Sequence, residues 1–476
     1  MSKYQLLDKR VPIAEGNISI IYHEDKCKNC TLCRRACADV MSVLDYYDLN
    51  STGDVPICVH CGQCAVACPF GALEERAELE AVKRAVQDPD AIVIVQTAPA
   101  VRVGIGEEFG MDAGTLAEGK MVMALRKLGV DYIVDTNFGA DMTIEEEAAE
   151  LVERVVHGTG VLPQFTSCCP GWVEFAETYF PEYIPNLSTA KSPIGMESAI
   201  AKTYFAEKKG LDPKKIVNVV IAPCTAKKFE IRREELNSSG EYWGDPTMRD
   251  TDYCLTTREF AKWIREENIE FTMLENSQFD DLIGYGSGGA VIFANTGGVM
   301  ESAMRTAYHI VTGEKPPAHL IDFKEIRGME GVKEADVQLG NKMLHIAAVH
   351  GGANIRKFLN EMKSKGTHYD FVEMMACRGG CIGGGGQLRV KLPLADKTKM
   401  ARIEGLYGRD KTLKVRSSFA NPQIQALYKE YLGGALSEKA EQLLHTIHYD
   451  RSATLGPCKN ITPETCPTSP KYKKSE

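Results

Sequence analysis

At 476 residues and 44% hydrophobic content, the chain is long enough for about three domains around a full apolar core. Its net charge of -9 argues against a nucleic-acid partner, which needs a basic stripe, and no apolar run approaches the length that spans a bilayer. The opening Met1-Ser2-Lys3-Tyr4-Gln5 carries no signal pattern and no twin arginine, which predicts a cytoplasmic protein with reduced cysteines.

Residues 1–75 hold two runs of Cys-x2-Cys-x2-Cys-x3-Cys: Cys27, Cys30, Cys33, Cys37, then Cys58, Cys61, Cys64, Cys68, the second followed by Pro69. Sixteen cysteines at such clustered spacing, without a signal peptide, point to metal-bound thiolates rather than disulfides. In two-cluster ferredoxins each run gives three ligands to one 4Fe-4S cluster and sends its fourth cysteine to the other. Cys27, Cys30, Cys33 and Cys68 are therefore assigned to one cluster, and Cys58, Cys61, Cys64 and Cys37 to a second. Zinc sites use two Cys-x2-Cys pairs or mix in histidine, a poorer match to this offset repeated twice. His60 is expected to be a surface or hydrogen-bonding residue. These residues predict a small two-cluster ferredoxin-like α+β domain, with Glu74 to Gln87 as a connecting helix. Lys26, Lys28, Arg34 and Arg35 crowd the first run and predict a docking patch for a small acidic redox protein.

A second domain, 76–450, is predicted to be α/β. Strand-like runs at Ala91 to Val95, Tyr132 to Val134, Ile216 to Ile221, Ala290 to Phe293, Leu344 to Val349 and Phe371 to Met375 alternate with amphipathic stretches. Three more cysteine segments follow such runs: Thr166-Ser167-Cys168-Cys169-Pro170 after Leu162 to Phe165, Pro223-Cys224-Thr225-Ala226-Lys227-Lys228, and Met375-Ala376-Cys377-Arg378-Gly379-Gly380-Cys381. Ligands at the carboxyl ends of strands suit open α/β sheets, so the three are read as one metal site. Cys377 and Cys381, four apart, would share a face on a helical turn. The glycines around them would let backbone approach inorganic atoms. Glu147, Glu150 and Arg154 fall at i, i+3 and i+7, on one face of a helix. Residues 451–476, rich in Pro, Thr, Ser and Lys, are expected to form a loose tail in which Cys458 and Cys466 are idle. Cys254 is expected in the core. Gly284 to Gly289 contains Gly-x-Gly-x-x-Gly but opens no βαβ unit, so a nucleotide cofactor is not expected.

The three segments resemble the signatures of the iron-iron (FeFe) hydrogenases. The resemblance implies an α/β catalytic domain of two sheet lobes around the metal site, and an enzyme, monomeric and anaerobic, that interconverts dihydrogen with protons and electrons. It implies an H-cluster, in which Cys169, Cys224, Cys377 and Cys381 hold a third 4Fe-4S cluster and Cys381 bridges it to a diiron unit with CO, cyanide and dithiolate ligands. Cys168 then shuttles protons, with Glu147, Ser188, Glu150 and Arg154 as the channel behind it. Lys227 offers its ammonium to a cyanide, and Ala98, Pro99, Ala100, Pro223, Phe293 and Met375 surround the cofactor. Ferredoxin and dedicated maturation enzymes are the implied partners. The alternatives are a hydrogen sensor with slow turnover, and an iron-sulfur assembly or electron-carrier protein of the same fold.

Four positions depart from the usual family pattern: Ala222 replaces Met, Ala100 replaces Ser, Ile194 replaces Gln and Leu388 replaces Pro. Two hydrogen-bonding side chains and one thioether are thereby lost, so the diiron ligands are expected to be held less rigidly.

Overall fold

The computed structural model describes residues 9–390, 394–458 and 460–472. Among the described residues, ten strands form three sheets. In the cysteine-run region, β1 (Ile20–Tyr22) and β2 (Leu73–Glu75) pair antiparallel, with short helices Leu32–Arg35 and Gln63–Ala67 between them. The connecting helix is shorter than the sequence suggests, Leu79–Gln87, because Leu73–Glu75 is taken by the ladder.

The first lobe of the larger domain is a parallel sheet of order β4-β3-β6-β7: β3 Ile92–Thr97, β4 Tyr132–Asp135, β6 Ile216–Ala222 and β7 Tyr253–Thr256. The central strand β6 reads IVNVVIA and is almost wholly buried, as a parallel strand covered on both faces must be. The second lobe has order β5-β10-β9-β8, with β5 Gln164–Phe165, β8 Val332–Leu339, β9 Lys342–His350 and β10 Phe371–Met375. Here β5, β10 and β9 are parallel, and β8 returns antiparallel as a hairpin edge. Among the described residues no helix is long and apolar enough to cross a membrane.

Three expectations are corrected. Ala290 to Phe293 is not a strand: Ser287 caps a helix, Gly288–Ile292, by accepting the Ala290 N–H, so an apolar run too short to show a period is helical. Strands β7 and β8 went unpredicted, and β8 (VKEADVQL) carries too much charge to read as a strand until the β9 partner is known. The segment after Arg451 is not loose over its described part. Leu455 joins the apolar cluster of Val11, Leu44 and Leu49, the buried Cys466 thiol donates to the Tyr47 carbonyl at 3.2 Å, and Lys471 pairs with Asp39 at 2.8 Å. It straps the cysteine-run region, which is too small to bury its own apolar surface.

Candidate active site

The carboxyl ends of both sheets converge on one cavity. From the first lobe, β3 delivers Ala98, Pro99 and Ala100, β4 delivers Thr136, and β6 delivers Ala222, Pro223 and Cys224. From the second, β5 leads to Cys168 and Cys169, and β10 delivers Met375 and then Cys377 and Cys381. Lys227, Ile194, Phe293, Gly380 and Gly384 complete a lining that is otherwise apolar. Every residue expected at the cofactor therefore faces this cavity, as do Ala100, Ala222 and Ile194 among the four departures. Leu388 is buried outside the lining.

Cys377 and Cys381 do not share a helical turn. Gly379 and Gly380 have φ of 85° and 92°, and Gly380 pairs with Asn295 in an antiparallel bridge. A Cβ on Gly380 would lie 2.7 Å from the Ala294 carbonyl, and one on Gly384 would lie 2.1 Å from the Pro223 carbonyl. This glycine turn, not a helix, turns both thiols to the cavity. The cradle fits a bulky inorganic group: four thiols on three segments, and backbone where side chains would intrude.

Burial pushes these thiols up, Cys224 to about 11, with the neighbouring Cys169 thiol adding to it. A cysteine cluster in so dry a place gains its negative charge only with a cation to bind. Cys168 is buried beside them. An exposed thiol would titrate near 8.5, but burial and then the Glu147 carboxylate push this one well above. Lys227 sits under the cavity, its Nζ donating to the Cys168 carbonyl at 3.2 Å and 2.8 Å from Glu230. Burial pulls its pKa down, but the Glu230 carboxylate outweighs that and holds the ammonium charged. Glu230, three residues on in the helix Ala226–Glu230, thus supplies a protein anion where the sequence argument invoked only a cyanide. Lys228 is structural, 3.0 Å from Glu259 and bonded to the Cys254 carbonyl in the core.

The helix Thr136–Val152 starts at Asp135, which accepts the Asn137 N–H, and runs almost wholly buried. Glu147 lies inside it. No side chain among the described residues donates to its carboxyl oxygens. Burial, then Glu150, raise its pKa to about 8, against the Ser167 amide, which lies against them and lowers it. Three of the remaining channel residues are in contact: Ser188 donates to Glu150 at 2.5 Å, and Arg154 donates to Glu150 at 2.5 Å and to the carbonyls of Val161, Asn186 and Leu187. No direct hydrogen bond joins Glu147 to this trio or to Cys168.

In the cysteine-run region, Cys27, Cys30, Cys33 and Cys68 line one cavity, with Cys30 exposed. Cys37, Cys58, Cys61 and Cys64 lie close enough to raise one another's thiols, after burial, with Cys37 pushed to about 12. His60, expected at the surface or in a hydrogen bond, is half-buried and stacks its ring on Phe229 with centroids 4.3 Å apart. Gln63, which sequence reasoning passed over, reaches Cys377 from this region. Nothing in the spacing of the second run announces that contact.

Residues 91–385 match the family described as the iron only hydrogenase large subunit, C-terminal domain. Residues 396–451 match the iron hydrogenase small subunit, and 54–74 a 4Fe-4S binding domain. The chain is 43% identical to the NADP-reducing hydrogenase subunit HndD of Solidesulfovibrio fructosivorans, over 91% of this chain and 75% of that one. It is 41% identical to iron hydrogenase 1 of Clostridium pasteurianum, over 92% and 77%. A solved structure of the FeFe-hydrogenase HydA1 from Chlamydomonas reinhardtii superposes with a TM-score of 0.68 at 36% identity, covering 79% of this chain and 99% of that one.

Proposed function

The chain belongs to the iron-only hydrogenase family, oxidoreductases acting on hydrogen, and from that premise we propose that it interconverts dihydrogen with protons and electrons at the cavity between the two sheets. Cys169, Cys224, Cys377 and Cys381 would hold a 4Fe-4S cluster, with Cys381 also reaching a diiron unit; Ala98, Pro99, Ala100, Pro223, Phe293 and Met375 would enclose it. When bound, that unit supplies the redox centre at which the H–H bond is made or broken. The two cysteine groups of 1–75 would hold 4Fe-4S clusters that carry electrons to and from a ferredoxin or similar small redox protein.

The chain's own chemistry is proton delivery. The observation that carries this reading is Cys168: its thiol shares the cavity with four ligand cysteines yet is surplus to them. It gives and takes the proton, Glu147 relays it, and the Ser188–Glu150–Arg154 trio passes it toward the surface. Glu147 is near enough to shift the Cys168 thiol, and Glu150 near enough to shift Glu147, which supports a path through this carboxyl. Lys227 fixes a positive charge under the cavity for anionic ligands.

An infrared spectrum of matured protein tests the assignment, because only CO and cyanide ligands absorb in the triple-bond region. Expression without the maturation enzymes should give about twelve iron per chain, no such bands and no turnover. Hydrogenase activity from that preparation would sink the site assignment. The iron-sulfur assembly alternative predicts no bands after maturation, and a sensor predicts bands with slow turnover.

A further inference from the structure

Gln63 lies between Cys61 and Cys64, at the start of the helix Gln63–Ala67, yet its side chain leaves its own region. Its Nε2 donates to Cys377 Sγ at 3.3 Å and to the Gly383 carbonyl at 3.0 Å. One residue thus sits among the thiols of one group and touches a thiol of another. The seam around it is tight. A Cβ on Gly62 would lie 2.3 Å from Thr225 Oγ1, one on Gly385 would lie 2.1 Å from the Cys61 carbonyl, and Thr225 Oγ1 donates to the His60 carbonyl at 2.7 Å. Gln63 is half-buried in this seam.

Two other thiols of the cavity, Cys169 and Cys224, take their donors from the backbone. Cys169 receives the Ala376 N–H at 3.4 Å, and the amides of Lys227 and Ala226 lie against Cys224. Those donors come with the fold. The donor to Cys377 is a side chain, and it comes from the electron-carrying region.

We propose that Gln63 raises the reduction potential of the cluster held through Cys377, and so sets the driving force for electrons passing between the second cysteine group and the cavity. Reduction places more negative charge on the cluster sulfurs and their thiolates. An N–H aimed at one of them stabilises the reduced form, and hydrogen bonds to sulfur are among the levers that set such potentials. The proposal rests on Cys377 being a ligand, as argued above. If Gln63 were only a latch between the two regions, its loss would loosen the seam and leave the potential alone.

Gln63→Met keeps the length of the side chain and removes the donor, and Gln63→His returns an N–H. Matured holoenzyme of each is titrated with reductant, following the infrared bands of the diiron ligands and the paramagnetic signals of the clusters, with iron counted. The expected result is a negative shift for the cavity cluster in Gln63→Met, part recovery in Gln63→His, and unchanged potential for the cluster of Cys27, Cys30, Cys33 and Cys68. An unshifted potential at full iron content overturns the proposal. Should Gln63→Met lose cavity iron, Gln63→Leu is titrated in its place, with the same shift required. Parent protein lacking the infrared bands would overturn the reading of the cavity itself, and this inference with it.

Discussion

Cys168 and Glu147 carry the sharpest predictions at the scale of single residues, because each is proposed to move protons and neither to hold metal. Cys168→Ala should leave iron content and infrared bands intact while turnover falls by about 10² to 10⁴, the usual worth of general acid-base catalysis. Cys168→Asp should restore part of it, and full activity in Cys168→Ala would end the shuttle assignment. Glu147 is held at about 8 by burial and by Glu150, with Glu373 raising it further and Arg154 opposing. Its raised value means that the carboxyl is protonated, and able to donate, below about pH 8 and is depleted above it. Proton reduction should therefore fall as pH rises through that value, a dependence that Glu147→Gln should abolish along with most of the rate. A pH profile unchanged by Glu147→Gln would remove this residue from the path.

At the scale of elements, the sequence exposes what chemistry dictates locally and hides what packing decides. The β3, β4, β6, β9 and β10 runs were legible because buried parallel strands read as continuous apolar segments, and β10 matches its run end to end. Ala290 to Phe293 reads ambiguously because four apolar residues fit either element, and only the Ser287 cap decides it. The contacts of Gln63 depend on Cys377 and Gly383, remote in sequence, whereas Glu230 stands one helical turn from Lys227 and is within reach of helical spacing. The turn at Cys377 to Cys381 shows the same limit: spacing of four suggested a helix, whereas the glycines between take a conformation that helices exclude. Gly384 tests how tightly that turn is made. Its own backbone angle is ordinary, so Gly384→Ala fails only through its 2.1 Å approach to the Pro223 carbonyl. It should cost about 1–3 kcal/mol in denaturant unfolding and reduce cavity iron. Gly408, in the helix Ala395–Thr412 with open space around its Cβ position, is the counterpart. Gly408→Ala should stabilise by about 0.5–1 kcal/mol with activity unchanged.

On the proposed reading the whole molecule conducts electrons between two ends, and the structure changes where the outer end would meet a partner. Arg34, expected in the basic patch, is buried and paired with Asp45 at 2.6 Å, both side chains nearly inaccessible. Reversing it to Glu would strand Asp45 and cost about 3–5 kcal/mol, so it cannot report on docking. Lys28 and Arg35 remain exposed near Cys30, and Lys9 and Lys28 line the cavity of the first cysteine group, while Lys26 is partly answered by Glu74 at 3.7 Å. A positive field concentrated there, on a chain of net charge -9, would steer a small acidic ferredoxin to the most accessible cysteine group. Lys28→Glu with Arg35→Glu should therefore slow electron transfer from ferredoxin several-fold at low salt. The difference should shrink as ionic strength passes about 0.1 M, where the screening length is about 10 Å. Turnover with a small viologen donor, which needs no docking face, should hold. Equal loss with both donors would mean that the cluster region itself was damaged, and an unchanged ferredoxin rate would move the docking site to another face.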